Sequence, residues 1–206
     1  MTEVSSFVLE TSRLYITPSD PTLEQHCSFY LKLMNSPSWQ RWIGDSGLQT
    51  EEDARVYMTQ RHTSHYRKHG FGYYVVSRKP DPSSLVEGAE LVGSVSLLLR
   101  DGHTVPDIGF AFLDDAHGKG YATEAARALI DHAAKHWHIP RVIGLTTPAN
   151  DGCKRALQKL GLHELGIRTL AAWPHHRIAI FAAEDVYDVS SCGVLLQNDA
   201  PSTFFA

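Results

Sequence analysis

The hexapeptide His117-Gly118-Lys119-Gly120-Tyr121-Ala122 carries the clearest chemistry in the sequence. Two glycines one residue apart follow an apolar strand pattern and open a helical one. Such a turn leaves backbone N–H groups unpaired at a helix N-terminus, where the helix dipole is positive. The chemistry it suits is phosphate binding. Two phosphate motifs fail on these residues. A P-loop needs GxxxxGK[ST], but Gly118-Lys119 is followed by Gly120, and position 113 is Leu. A dinucleotide turn, GxGxxG, needs a third glycine where Thr123 stands. Glycines also serve tight turns that hold no ligand. The residues alone therefore leave a plain strand–turn–helix open.

Two other groups could do chemistry. Trp39, Arg41, Trp42 and Asp45 fall within residues 37–49, which read as a loop. Aromatics and charges on a loop can line a binding groove, and tryptophans can equally be lids on the core. His62, His65 and His69 recur at i, i+3, i+7. Without a nearby cysteine or carboxylate they read as a solvated or groove-lining face, and no metal is expected.

The elements that must position these residues follow from periodicity. Residues 7–16 predict a first strand or strand pair. Asp20-Pro21 predicts a helix start, and Leu23, Cys27, Tyr30, Leu31 and Met34 give that helix one apolar face. Asn35-Ser36-Pro37 stops it. Thr50 followed by Glu51, Glu52 and Asp53 starts a second helix, which ends on Arg67, Lys68 and His69 before Gly70. Strands are expected at 71–77, 90–100 and 106–113, with a hairpin turn at Asp101-Gly102. After the glycine turn, Ala122, Ala125, Ala126, Leu129, Ile130, Ala133 and Trp137 form one helical stripe. Glu124, Arg127, Asp131 and Lys135 face away, spaced to pair along the helix.

A strand at 141–147, a helix at 152–160 and a closing strand pair around His175-His176 complete a domain over residues 1–183. Residues 184–206 lose periodicity and read as a loosely packed or partner-binding tail. This order predicts an α/β fold, a mixed sheet with helices on both faces. Ligands in such sheets sit beyond the C-terminal strand ends.

A third phosphate motif, [QR]xxGx[GA], matches residues 117–122 except at His117. Here the sequence resembles the GNAT family of acyl-CoA-dependent N-acyltransferases. The run IGFAFLDDAHGKGYATEA is similar to the branch of ribosomal-protein N-terminal acetyltransferases. Downstream, Thr147-Pro148-Ala149-Asn150, then Cys153, then Leu157-Gln158-Lys159-Leu160-Gly161-Leu162 is similar to that branch's NxxSxxxxxKLGF segment.

The resemblance implies a mostly antiparallel sheet with splayed central strands and acetyl-CoA as co-substrate. The pantetheine arm would enter at Phe112, Leu113 and Asp114. The pyrophosphate would meet His117, Gly118, Lys119, Gly120, Tyr121, Ala122 and Thr123, and Asn150 would contact the arm. Cys153 replaces a serine that family members place near the thioester sulfur, so its thiol is a candidate acid for the departing thiolate. Asp107 stands where the branch often has a strand glutamate and is the first candidate base; Tyr121 and His175 are further ones.

Acceptor specificity in the family comes from the first two helices, their loop and the last strand pair. Here those carry Trp39, Arg41, Trp42, Asp45, His62, His65, Trp173 and His175. The implied activity is acetyl transfer to a primary amine, on a protein N-terminus or a small molecule. An acyl-CoA-binding protein that keeps the fold without catalysis is the alternative.

Composition bounds the partners. The chain has 206 residues, 43% hydrophobic, with a formal net charge of −4. That balance does not favour nucleic acid, and no stretch is long and apolar enough for a membrane span. Three irregularly spaced cysteines and an N-terminal stretch without a leader pattern predict a reducing, cytoplasmic setting. A monomer or homodimer is expected.

Overall fold

The computed structural model describes residues 7–81, 85–86 and 88–197. Its centre is an eight-stranded sheet in the order β1-β2-β3-β4-β5-β6-β8-β7. The strands are β1 Leu9–Glu10, β2 Leu14–Pro18, β3 Tyr73–Arg78, β4 Glu90–Leu98, β5 Asp107–Phe112, β6 Ile143–Thr146, β7 Leu162–Leu170 and β8 Trp173–Ala183. Every neighbouring pair is antiparallel except β5 and β6. The helices are α1 Glu24–Met34, α2 Pro37–Trp42, α3 Glu51–Met58, α4 Ser64–His69, α5 Tyr121–His136 and α6 Asp151–Lys159. Among the described residues, no helix is long and apolar enough to cross a membrane.

Strand alternation sorts the core into layers on the two faces of the sheet. Tyr74 and Val76 of β3 join the layer under α5 and α6, while Val75 joins the layer under α1 and α3. The mixed sheet with helices on both faces is thus as the sequence predicts. The small residues Ala125, Ala126 and Ala133 of α5 are fully buried and let that helix lie close to the sheet. Between them Leu129 is also fully buried, contributing roughly 2 kcal/mol. On the opposite face of β8, Ile178, Ile180 and Ala182 pack with Val186, Val189, Cys192 and Val194. The described part of the segment read as a loose tail is therefore seated on the sheet; residues 198–206 lie outside the described residues.

β5 and β6 pair only at Asp107↔Ile143 and Ile108↔Gly144. Beyond that fork the two strands diverge, so the rest of β5 is paired on its β4 side alone. This opening is the expected splay, and it leads towards the glycine turn.

Four local expectations are corrected. α1 begins at Glu24 rather than at Asp20-Pro21, because the Asp20 carboxylate is spent on a turn with Thr22 N–H (2.8 Å) and Thr22 Oγ1 (2.7 Å). Part of the stretch read as a loop is α2, with Ser36 accepting from Trp39 N–H and Pro37 at its first position. The helix from Thr50 to Gly70 is interrupted by one π turn, Thr59–Thr63. That extra residue in the turn breaks the i, i+3, i+7 face and sends His62 into the core, 3% exposed. The last hairpin turns at Ala171-Ala172, so His175 and His176 lie within β8.

Candidate active site

The glycine turn is held by conformations that only glycine adopts easily. Gly118 has φ 74° and Gly120 φ 82°, both left-handed. Glu124 N–H is the one that first bonds back into α5, to Gly120 O at 3.1 Å. By helix geometry the N–H groups of Tyr121, Ala122 and Thr123 have no acceptor within the helix. With those of Gly118, Lys119 and Gly120 they form a run of donors at a positive dipole end, which fits an anionic diphosphate. Tyr121 is buried and Ala122 and Thr123 half-buried, whereas Gly118, Lys119 and Gly120 are exposed. His117 takes a different part from the expected one. Its Nε2 lies 2.9 Å from Phe112 O, and since a carbonyl only accepts, Nε2 carries the proton. The ring ties the turn back to the strand.

Register decides which strand groups face the opening. Leu113 N–H bonds to Val92 O at 3.0 Å. Antiparallel pairs alternate, so Phe112 and Phe110 stand at non-hydrogen-bonded positions opposite Gly93 and Val95. Their N–H groups point away from β4, into the opening. The Phe112 ring is buried where a side chain on Gly93 would stand, so only its main chain is offered. Leu113 is committed on both sides, since its carbonyl also accepts from Ala116 N–H at 2.9 Å. The Asp114 carboxylate accepts from Ser38 Oγ and so pins α2 beside the end of β5.

The opposite wall follows β6. Asn150 Oδ1 caps α6 by accepting from Cys153 N–H at 3.0 Å, and among the described residues its amide NH₂ has no acceptor. The Cys153 thiol is half-buried; burial pushes its pKa up, against a hydrogen bond with the Thr146 side chain, so the sulfur stays protonated at neutral pH. Among the described residues Thr147 Oγ1 is buried without a partner, an open polar group beside the opening.

At the fork, Asp107 is 3% exposed and held by both prongs of Arg100, Nε to Oδ1 at 2.6 Å and Nη2 to Oδ2 at 3.0 Å. Burial drives its pKa up and Arg100 opposes this, with a net rise. The indole of Trp173 covers the Arg100 guanidinium at 4.4 Å. Beyond them lies a groove of about 700 Å³, walled by Gln60, Arg61, His65, Tyr73, Arg100 and Trp173 among others. Burial pushes the Tyr73 hydroxyl up to about 12 and His65 down to about 4, so both are uncharged at neutral pH.

Of the expected acceptor residues, His65 and Trp173 line this groove, whereas Trp39, Arg41, Trp42 and His175 do not. Trp39 packs on the core beneath α1, and Arg41 stacks on Trp42 at 4.6 Å. Asp45 closes a turn with Gly47 N–H, and His175 is exposed on β8. His62 bonds to Ser19 Oγ at 2.8 Å and stacks on Tyr73 at 3.9 Å, so it supports the groove from behind. Arg13 and Arg100 are site-adjacent residues that no motif in the sequence marks, and Thr147 stands in the second motif block without an assigned role. Only their fold neighbours distinguish them from other arginines and threonines.

A GNAT acetyltransferase domain model matches residues 13–163. The chain belongs to the GNAT acetyltransferase family. A relative from Bacillus subtilis (strain 168), the probable N-acetyltransferase YjcK, is 36% identical over 104 residues, 46% of this chain. The chain spans only 57% of that relative's length. Solved GNAT-fold structures agree in architecture. An acetyltransferase of Salmonella typhimurium that modifies the N-terminal serine of ribosomal protein L7/L12 superposes with TM-score 0.67 at 17% identity, over 85% of this chain and 98% of that one. A RimL ribosomal L7/L12 α-N-acetyltransferase, solved with coenzyme A in disulfide linkage to one of its cysteines, gives TM-score 0.69 at 17% identity, over 85% and 97%.

Proposed function

We propose that this GNAT chain is an acetyl-CoA-dependent N-acetyltransferase whose acceptor is a primary amine, on a small molecule or a protein N-terminus. The observation that carries the reading is one alignment. The unpaired N–H groups of residues 118–123 stand at the end of β5 towards which the sheet opens. A diphosphate on the turn leaves its attached arm free to lie along β5. The coenzyme A held by the similar RimL structure and the N-terminal serine acceptor of the Salmonella enzyme support the same reading.

In this reading acetyl-CoA supplies the activated acyl thioester, and the chain supplies position and charge. The N–H groups of Gly118 to Thr123 hold the pyrophosphate. Phe112 and Phe110 offer main-chain donors along the opening, one of which polarises the acyl carbonyl. Thr147, Asn150 and Cys153 form the second wall. The Cys153 thiol, kept protonated by its burial, can donate to the leaving sulfur. Asp107 takes the amine proton, directly or through a water, and burial, which raises its pKa against the pull of Arg100, makes it a stronger base than an ordinary aspartate. The groove beyond Arg100 and Trp173 admits the acceptor.

Free-thiol release from acetyl-CoA, followed across a panel of amines and short peptides with free N-termini, tests this. Release dependent on an amine supports the proposal. Coenzyme A binding with no release on any amine favours the non-catalytic alternative.

A further inference from the structure

The first turn of α5 carries an acid where an anion is to bind. Glu124 is 17% exposed at its side chain, one turn from the donors of residues 118–123. An acid suits the helix dipole there, but its charge opposes a phosphate. The structure answers with Arg13, from the turn between β1 and β2. Its main-chain N–H and Nε reach Glu124 at 3.1 and 2.7 Å, and Nη2 pairs with Oε2 at 2.5 Å. Thr11 Oγ1 and Ser12 Oγ add bonds of 2.6 and 3.3 Å to the same carboxylate. Burial would raise the Glu124 pKa, yet these bonds and the Arg13 charge outweigh it and hold it below its ordinary value. The pair is therefore ionised and neutral overall at physiological pH.

The third guanidinium nitrogen does something the ion pair does not need. Arg13 Nη1 donates to Lys119 O at 3.0 Å, inside the glycine turn, and the guanidinium lies over the Tyr121 ring at 4.8 Å. A peptide unit is planar and trans, so fixing the Lys119 carbonyl towards Arg13 turns the Gly120 N–H away from it. The side chain of one arginine thus sets the direction of a turn donor and cancels the charge that would repel the ligand.

We propose that Arg13 and Glu124 are a positioning pair that holds the turn in its anion-binding conformation, so that Arg13 governs affinity for the pyrophosphate half of the acetyl donor. The inference rests on the coenzyme A reading above. Arg13 touches neither the reacting atoms nor the acceptor groove, which defines the test. Acetyl-CoA carries the pyrophosphate; S-acetylpantetheine carries the same thioester and arm without it.

Arg13→Ala is expected to raise the coenzyme A Kd, measured by calorimetry, about tenfold, the scale of one charge-assisted hydrogen bond. It should leave kcat/KM for S-acetylpantetheine within about twofold, because that donor never meets the turn. Arg13→Lys keeps the charge but not the fork, and should lose several-fold in coenzyme A affinity; it serves as the second variant if Arg13→Ala fails to fold. Coenzyme A affinity unchanged in both variants overturns the proposal. So does an equal loss with both donors, which makes Arg13 a general structural residue. A wild-type chain that binds no coenzyme A overturns the underlying reading instead.

Discussion

At its C-terminal end β5 runs into a turn that presents a run of main-chain N–H donors. At its N-terminal end it meets a groove whose groups are side chains drawn from the π turn and α4, the start of β3, the end of β4 and the β7–β8 tip. The first end is written almost wholly in consecutive residues, since two left-handed glycines shape the turn and Arg13 is its distant brace. The second is written in no single stretch; Arg61, Tyr73, Arg100 and Trp173 meet only because the sheet brings them together. A local code suits a ligand shared by many enzymes, and a dispersed one can be altered residue by residue to suit an acceptor.

The largest effect should come from breaking the local end. Gly120→Trp forces a bulky residue into a left-handed position beside Arg13 and should weaken coenzyme A binding by roughly a thousandfold, as several charge-assisted bonds are lost together. Calorimetry reads it directly, and unchanged affinity would remove the turn from the site.

At the fork, Asp107→Asn should lower turnover by about a hundredfold, the lower range for a general base, with coenzyme A affinity within about twofold. Equal loss of both would make Asp107 a structural partner of Arg100 alone.

The groove's support has an acid-sensitive element. Burial holds the His62 pKa down at about 3, against 6.5 for the free group, with Arg61 adding to the effect. The unfolded chain therefore takes up the proton first as pH falls. Stability from this group is complete above pH 6.5 and is lost between 6.5 and about 3, at about 1.4 kcal/mol per pH unit. Denaturant unfolding at pH 7, 5.5 and 4.5 should show this slope, shallower by one proton in His62→Phe; an identical slope in the variant would refute it.

Smaller effects mark the dispersed end. Trp173→Ala uncovers Arg100 and should raise the acceptor KM about fivefold, the scale of a cation–π contact, without changing coenzyme A affinity. Cys153→Ala should change turnover by no more than about threefold, since a thiol is a weak donor. A loss on the scale of Asp107→Asn would promote Cys153 to the essential acid.

The same contrast explains what could be read in advance. The strand–turn–helix at 107–136 was legible because apolar period, paired glycines and an alanine-rich stripe agree with one another. The helix at 152–160 was legible from its pattern, and Asn150 caps it. Glu124 was assigned to pairs along α5, but its partner Arg13 stands 111 residues earlier in sequence, where no spacing rule reaches. His62 was placed on a histidine face because the π turn that rotates it inward leaves no mark in residue types. α2 was missed although Ser36-Pro37 is a cap followed by a first-position proline, because the same residues also end α1. Arg100 drew no notice because an arginine at a strand end is ordinary until Asp107 and Trp173 are placed around it.

The most direct measurement is amide hydrogen exchange with and without coenzyme A. Coenzyme A should protect the N–H groups of residues 118–123 and of Phe110 and Phe112, and leave the groove segments at 60–69 and 171–173 unchanged. Protection confined to those groove segments, with the glycine turn still exchanging freely, would contradict this.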